Sequence, residues 1–317
     1  MSAVVLLGLG GTISMQQTPR GAVPILDAGE LTDAVAGFAG AESLALVGGS
    51  EVDFDLLERV VARAREHVAD GVDGIVVTTG TDSIEEVASW LSYRETWPIP
   101  VVVTGSMILG TRPDSDGRAN LADALAVASS GADIDPVVVF AGKIFDGREA
   151  VKVSGVVRDA FDAPGRGPVG YIVGGRVQWH RTQGRLKGHG DPTGPVRPVP
   201  LVLAALGDDG AILRAAGGGR AVVMAANGAG NLPPKQAVAA QDLIDHGTLV
   251  VITTRAADSR VAPVYAYPGG VAGLVEYGAQ LAPGITPHRA RLLVTLGLAQ
   301  GLDNDALRAL IDSETRP

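Results

Sequence analysis

The sequence predicts a two-domain α/β protein, with a larger N-terminal domain built on a parallel sheet and a smaller C-terminal, Rossmann-like α/β domain. Three observations predict it. Short Val-, Ile- and Leu-rich runs end in glycine or threonine and alternate with stretches of helical periodicity, the pattern of βαβ units. A content of 43 glycines with only 4% aromatic residues suits many tight strand-to-helix turns over an Ala/Val/Leu core. A Gly- and Pro-rich stretch without periodicity, GRLKGHGDPTGPVRPVP at 184–200, separates two such patterns and reads as a linker. The expected division is a catalytic domain over 1–183, the linker over 184–200 and a second domain over 201–317.

The first element, VVLLGLGGTI at 4–13, is an apolar run of strand length closed by three glycines and a threonine. Gly8, Gly10 and Gly11 supply the backbone freedom for a sharp exit turn, which places Thr12 at the carboxyl end of the first strand. In an open α/β sheet that edge is where ligands bind. A dinucleotide fingerprint would need glycine where Ile13 stands, and a phosphate-binding loop would need Gly-Lys-Ser/Thr, so both are disfavoured. An ordinary tight turn with Thr12 as a turn residue is the bland alternative.

The polar stretch after Thr12, SMQQTPRGAVPIL, reads as a mobile loop beside a site, followed by helical spacing over 31–38. A short strand at 43–47 leads through the loop GGSEVD into an amphipathic helix at 54–68. GIVVTT at 74–79 is the next buried strand, and SIEEVASWLSY at 83–93 is a helix with Glu85 and Glu86 in its first turn, suited to the positive end of the helix dipole. Strands are expected at 100–104 and 136–140 with a helix at 121–128 between them, and KIFDGREAVK at 143–152 as a hairpin arm or loop. In the second half, strands near 201–206, 220–226 and 248–254 combine with helices at 234–246, 287–300 and 304–313.

At 317 residues the chain exceeds the usual single-domain size, and a hydrophobic content of 46% excludes a disordered chain. A net charge of -9 leaves no basic face for nucleic acid and favours a small-molecule substrate. Without cysteine there is no disulfide, thiol nucleophile or thiolate metal site, and His67, His180, His189, His246 and His288 are too scattered for a zinc helix. The residues thus offer neither of these two metal-site patterns. No apolar run reaches the ~18 residues of a membrane span, and the chain opens on its first strand without a leader pattern. It therefore reads as soluble and cytoplasmic.

Two hydroxyl residues at two strand ends, Thr12 and Thr81, can converge on one cleft, with Asp82 beside them. Threonine attacks only when a base takes its proton. No histidine lies near these turns, and no serine sits in a nucleophile elbow. Lysine remains as the candidate base partner, and the pattern alone does not choose which lysine.

Four motifs carry a resemblance: GGTIS at 10–14, TTGTDSIEE at 78–86, TGSM at 104–107 with SDGRANLADAL at 115–125, and DGREAVK at 146–152. Together, in this order, they resemble the bacterial-type L-asparaginase family, and GAGNL at 228–232 and TPHRARLLVTLGLAQ at 286–300 extend the match. The resemblance implies a cofactor-free homotetramer, a dimer of dimers, that hydrolyses the side-chain amide of asparagine to aspartate and ammonia. It implies that Thr12 is the nucleophile that forms an acyl-enzyme, and that Thr81, Asp82 and Lys152 are the second threonine with its Asp and Lys. Gly11, Gly80 and Ser106 would surround the carboxamide, Ser50 and Glu51 would meet the substrate's α-substituents, and Asn231 would approach the site of a neighbouring subunit.

Three departures accompany it. The segment after Thr12 has no tyrosine, where the family usually carries one against the nucleophile. Glu51 stands where the family usually has an amide residue near the substrate carboxylate, and would repel that carboxylate unless it is displaced, protonated or bound to the ammonium. The family's M-R-P-S reads Met107-Ile108-Leu109-Gly110, which removes a basic residue near the site. Structural alternatives stay beside the functional ones: Asp82 as a helix N-cap, Lys152 as a surface lysine, Ser50 and Glu51 as an ordinary loop, and Asn231 as a cap before Pro233. Two rival functions follow, a deamidase of glutamine or of a larger peptide-like or secondary-metabolite amide, and a non-catalytic amide-binding protein on the same fold. The amidotransferase glutaminase subunit, which adds an N-terminal domain, is not expected in a chain that opens on its first strand.

Overall fold

The computed structural model describes residues 2–181, 184–258 and 260–315. It contains two compact units, Met1–Gly190 and Asp191–Pro317.

The first unit opens with β1 (Val4–Gly10), followed by a hairpin of β2 (Met15–Thr18) and β3 (Gly21–Pro24), then α1 (Ala28–Asp33), β4 (Gly40–Val47), α2 (Phe54–Ala69), β5 (Gly74–Thr78), α3 (Ile84–Arg94), β6 (Val101–Thr104), α4 (Gly117–Ala128) and β7 (Val137–Phe140). After these come β8 (Lys143–Asp146), β9 (Val151–Lys152), β10 (Phe161–Asp162), β11 (Gly170–Val173) and β12 (Arg176–Trp179). The main sheet has eight strands in the order β12-β11-β8-β7-β6-β5-β1-β4. Strands β4, β1, β5, β6 and β7 run parallel, as the alternating pattern predicts, and β8, β11 and β12 extend the sheet antiparallel.

Every residue of β1, β5, β6 and β7 is buried, which explains why these strands read as continuous apolar runs: helices cover both faces. On one face Val4, Leu6, Val76, Val102 and Val139 pack with Leu31 of α1 and Leu121, Ala124 and Val127 of α4. Helix α1 runs over Ala28–Asp33, where helical spacing was expected over 31–38, because its capping signal lies upstream. Asp27 and Glu30 form a reciprocal capping box at α1, and Asp53 accepts the Leu56 N–H at 2.8 Å to cap α2.

The stretch after Thr12 is an antiparallel hairpin, where a loop was expected. Its residues pair from Met15 with Pro24 to Thr18 with Gly21, and the Thr18 hydroxyl closes the turn by donating to the Gly21 carbonyl at 2.7 Å. All eight strand residues keep solvent contact, so no apolar alternation marks them in the sequence.

The second unit holds β13 (Leu201–Leu203), α5 (Ala211–Ala216), β14 (Ala221–Ala226), α6 (Pro234–Asp245), β15 (Leu249–Thr254), α7 (Val271–Tyr277), β16 (Gln280–Leu281), α8 (Pro287–Ala299) and α9 (Asn304–Glu314). Its four strands are parallel in the order β13-β14-β15-β16. Val222, Met224, Val250 and Ile252 pack with Leu213, Ala237, Ala240, Val271 and Leu274 from α5, α6 and α7. The sequence gives no expectation for α5 and α7, which have six and seven residues and are too short for a clear period.

The expected domain boundary at residue 183 lies outside the described residues. The segment at 184–200 is hydrogen-bonded within each unit in turn. Leu186 N–H donates to Asp135 at 2.9 Å, Gly188 N–H to Thr96 at 2.9 Å and His189 N–H to the Tyr93 carbonyl at 2.6 Å in the first unit. In the second, Thr193 and Gly194 donate to the Ala299 carbonyl at 2.9 Å.

Candidate active site

The carboxyl edge of the first sheet is assembled by backbone contact. Gly11 has φ +78°, and its N–H donates to the Val47 carbonyl at 2.8 Å, so the exit of β1 is tied to the exit of β4. A Cβ on Gly11 would fall inside the van der Waals radius of the Gly80 backbone, and a Cβ on Gly80 would meet the Gly49 nitrogen at 2.5 Å. Three strand exits, after β1, β4 and β5, therefore touch main chain to main chain, which only glycine permits. That contact brings the Thr12 turn, Ser50 with Glu51, and Thr81 with Asp82 to one edge.

Thr12 begins a single 3-10 turn over Thr12–Ser14 and is half-buried between buried Gly11 and Ile13. Gly11 spends both backbone groups internally, its carbonyl accepting the Ser14 N–H at 2.9 Å, so it contributes shape rather than a donor. Among the described residues, neither the Thr12 nor the Thr81 N–H has an internal acceptor.

Thr81 is buried, and Lys152 Nζ donates to its Oγ1 at 2.9 Å and to Asp82 Oδ1 at 2.6 Å. The lysine side chain is 18% exposed and the Asp82 side chain 67%, so the ammonium is sunk between an interior hydroxyl and a solvent-facing carboxylate. This geometry removes both bland alternatives. Lys152 is not a free surface lysine, and Asp82 does not cap α3, whose N-cap position is Ser83. Ser83 instead shares a hydrogen bond of 3.0 Å with the Thr79 hydroxyl and receives no capping contact.

The DGREAVK segment delivers Lys152 through buried polar contacts. Gly147 N–H donates to the Pro136 carbonyl at 2.9 Å, its carbonyl accepts from Ser89 at 2.9 Å, and Arg148 lies over the Tyr93 ring at 5.2 Å while donating to the Ser92 carbonyl at 2.5 Å. Glu149 pairs with Arg166 and Arg181. Arg148 and Glu149 are thus framework residues, and only their place inside a recognised motif marks them in the sequence.

Ser106 is fully buried, and its hydroxyl contacts the Ile108 carbonyl and Asp116 Oδ1. Asp116 also accepts the N–H groups of Met107 at 3.1 Å and Ile108 at 2.9 Å, and Asn120 donates to the Gly105 carbonyl at 3.0 Å. The loop so fixed reaches the nucleophile turn, where Gly110 N–H donates to the Thr12 carbonyl at 3.1 Å. Asp116 and Asn120, inside SDGRANLADAL, hold the wall beside Thr12.

Ser50 and Glu51 are exposed in a short 3-10 turn after β4, and Glu51 Oε2 accepts the Gly48 N–H at 2.7 Å. The Glu51 carboxylate is turned back on its own loop. Asn231 belongs to the second unit. Its Oδ1 accepts the Val271 N–H at 3.2 Å and so closes the start of α7, while the N-cap position of α6 is Pro233. It lines a pocket of about 640 Å³ with Leu206, Asp208, Asn227, Lys235 and Tyr267.

Among the described residues no group of three or more His, Asp or Glu side chains could hold a metal, and no helix is long and apolar enough to cross a membrane.

Residues 3–185 match the family described as "Asparaginase, N-terminal", and residues 198–311 match "Glutaminase/Asparaginase C-terminal domain". A probable L-asparaginase of Deinococcus radiodurans is 38% identical over 267 residues, covering 78% of this chain and 78% of its own. An L-asparaginase of Bacillus licheniformis is 31% identical over 315 residues, covering 93% and 95%. The crystal structure of a probable cytoplasmic L-asparaginase from Campylobacter jejuni superposes with a TM-score of 0.86 at 26% identity, covering 98% of this chain and 99% of that one.

Proposed function

The chain belongs to the asparaginase family, and from that premise we propose that it is an amidohydrolase that cleaves the side-chain amide of L-asparagine to L-aspartate and ammonia. The observation that carries this reading is Lys152 Nζ seated between Thr81 Oγ1 and Asp82 Oδ1, on the same sheet edge to which the Gly11–Gly80 contact ties the Thr12 turn.

In this reading Thr12 Oγ attacks the carboxamide carbon and its proton passes toward Thr81, whose hydroxyl Lys152 holds in place. The tetrahedral oxyanion faces the Thr12 and Thr81 N–H groups, which have no internal acceptor among the described residues. The C–N bond then breaks, ammonia leaves with the relayed proton, and Thr12 carries an aspartyl ester. Water cleaves the ester, releasing aspartate and restoring the hydroxyl. Every step uses the chain's own groups and water. The Glu51 carboxylate, spent on Gly48, leaves the substrate α-carboxylate to other donors of the edge.

In the same reading the chain is a cytoplasmic homotetramer, a dimer of dimers, with Asn231 serving the site of a neighbouring copy. Sedimentation velocity returning a monomer would remove that part.

A second reading, deamidation of glutamine or of a larger carboxamide, is favoured by the hairpin after Thr12, which carries no tyrosine, and by the exposed carboxylate of Glu51. One methylene separates asparagine from glutamine and is worth only about 1–3 kcal/mol in a pocket. The deciding experiment measures ammonia release from asparagine, glutamine and asparagine amidated at its α-carboxylate. Preference for asparagine supports the first reading, preference for the blocked amide the second, and no release from any of the three leaves an amide-binding protein.

A further inference from the structure

We propose that Glu85 is the positioning residue for Lys152, an inference that rests on the amidohydrolase reading above. Strand β9 is two residues long and, among the described residues, pairs only with β10. Val153 N–H donates to the Ala160 carbonyl at 2.8 Å on the β10 side. Successive amides of a strand point to opposite edges, so the Lys152 N–H faces the open edge, where no strand follows. Glu85 Oε2 accepts it there at 2.8 Å. One carboxylate stands in for a neighbouring strand at the one residue of β9 whose side chain the site uses.

The holding element is rigid. Glu85 lies in the first turn of α3, between Ile84 and Val87, both fully buried. The held element leads directly into exposed chain, Val153, Val156 and Val157 after Lys152 being 53%, 88% and 53% exposed. Thr81 and Asp82 fix the ammonium and Glu85 fixes the backbone of the same residue, so three contacts on Lys152 come from the five residues of TDSIE. A four-carbon side chain has many rotamers. Fixing both ends selects the few that set Nζ against Thr81. The pairing of TTGTDSIEE with DGREAVK in one chain thus has a mechanical reason, a clamp and the strand it grips.

Three variants test this. Glu85→Ala removes the acceptor, Glu85→Asp keeps the charge in the helix's first turn but loses the reach, and Glu85→Gln keeps an oxygen acceptor at full length. The first two are expected to lower kcat for asparagine by at least about tenfold with KM within about twofold, the signature of a misplaced catalytic group rather than of lost substrate binding. The third is expected to recover kcat to within about threefold of wild type, because the contact needs an acceptor and not a charge. Hydrogen exchange of the 150–153 backbone is read alongside, and the Lys152 amide is expected to exchange at least about tenfold faster in Glu85→Ala and Glu85→Asp, and slowly in Glu85→Gln. Unchanged exchange in Glu85→Asp, unchanged kcat, or a Glu85→Gln as impaired as Glu85→Ala each overturns the proposal. A wild type inert on every amide would remove the functional reading, and the exchange data would still decide whether Glu85 holds Lys152.

Discussion

The two units solve the same architectural problem and finish it differently. Both are built on parallel strands covered by helices, wholly so in the second and with an antiparallel extension in the first, and in both the parallel strands end at a carboxyl edge where open α/β folds place their ligands. In the first, the exits of β1, β4 and β5 are pressed together through Gly11, Gly49 and Gly80, and the packed backbone presents Thr12, Thr81, Asp82 and Lys152. In the second, the exits of β13 and β14 leave a pocket of about 640 Å³ lined by Leu206, Asn227, Lys235 and Tyr267, and the side-chain oxygen of Asn231 is committed to the start of α7. A sheet edge is therefore a location, and its chemistry depends on which side chains the turns deliver.

Thr12→Ala is the largest predicted break in this contrast. It should lower ammonia release by at least about 1,000-fold while leaving the melting transition unchanged, since the first unit's reactivity is assigned to one hydroxyl. Activity retained within tenfold would move the chemistry elsewhere.

The glycines sharpen the comparison next. Gly11→Ala places a Cβ into the Gly80 backbone at φ +78° and should destabilise the first unit by about 3 kcal/mol or more. Gly228→Ala, at φ +48° with open space around it, should cost only about 1 kcal/mol in the second. Denaturant unfolding of both variants gives the ratio, and equal losses would contradict the packed-edge account.

Asn231→Ala should follow at about 1 kcal/mol, the loss of a cap on α7, detectable as faster hydrogen exchange at Val271. The smallest effect is electrostatic and lies away from the site. The Arg63 guanidinium, hydrogen-bonded to Glu42 on β4, holds that carboxyl below its ordinary pKa, with burial opposing and His67 assisting. A carboxylate whose folded pKa is depressed stabilises above its unfolded value, and the contribution fades as pH falls through the folded one. Wild type should thus exceed Glu42→Gln in melting temperature near neutrality, and the gap should close on acidification below about pH 4, with ammonia release unaffected.

The contrast between the units also marks what was legible in the sequence. The buried strands β1, β5 and β6 are readable because burial on both faces enforces an apolar run, and α2 and α9 because Asp53 and Asp303 cap them. The hairpin after Thr12 is hidden because its strands are half in solvent, and β11 and β12 because the βαβ pattern that predicts the rest of the sheet stops at β7, whereas β8 falls in the stretch at 143–152 expected as a hairpin arm or loop. Lys152 emerges from resemblance alone, as a lysine brought 71 residues along the chain to Thr81 has no local signal. Glu85 reads as a helix-dipole residue, and only the fold reveals the backbone amide it accepts.

The most direct test of the central claim is mass spectrometry of wild-type protein quenched within milliseconds of mixing with asparagine. The account predicts an aspartyl adduct on the peptide that contains Thr12 and none in Thr12→Ala. An adduct on Thr81 or on any other side chain, or product formed in the same quench with no adduct at all, would contradict it.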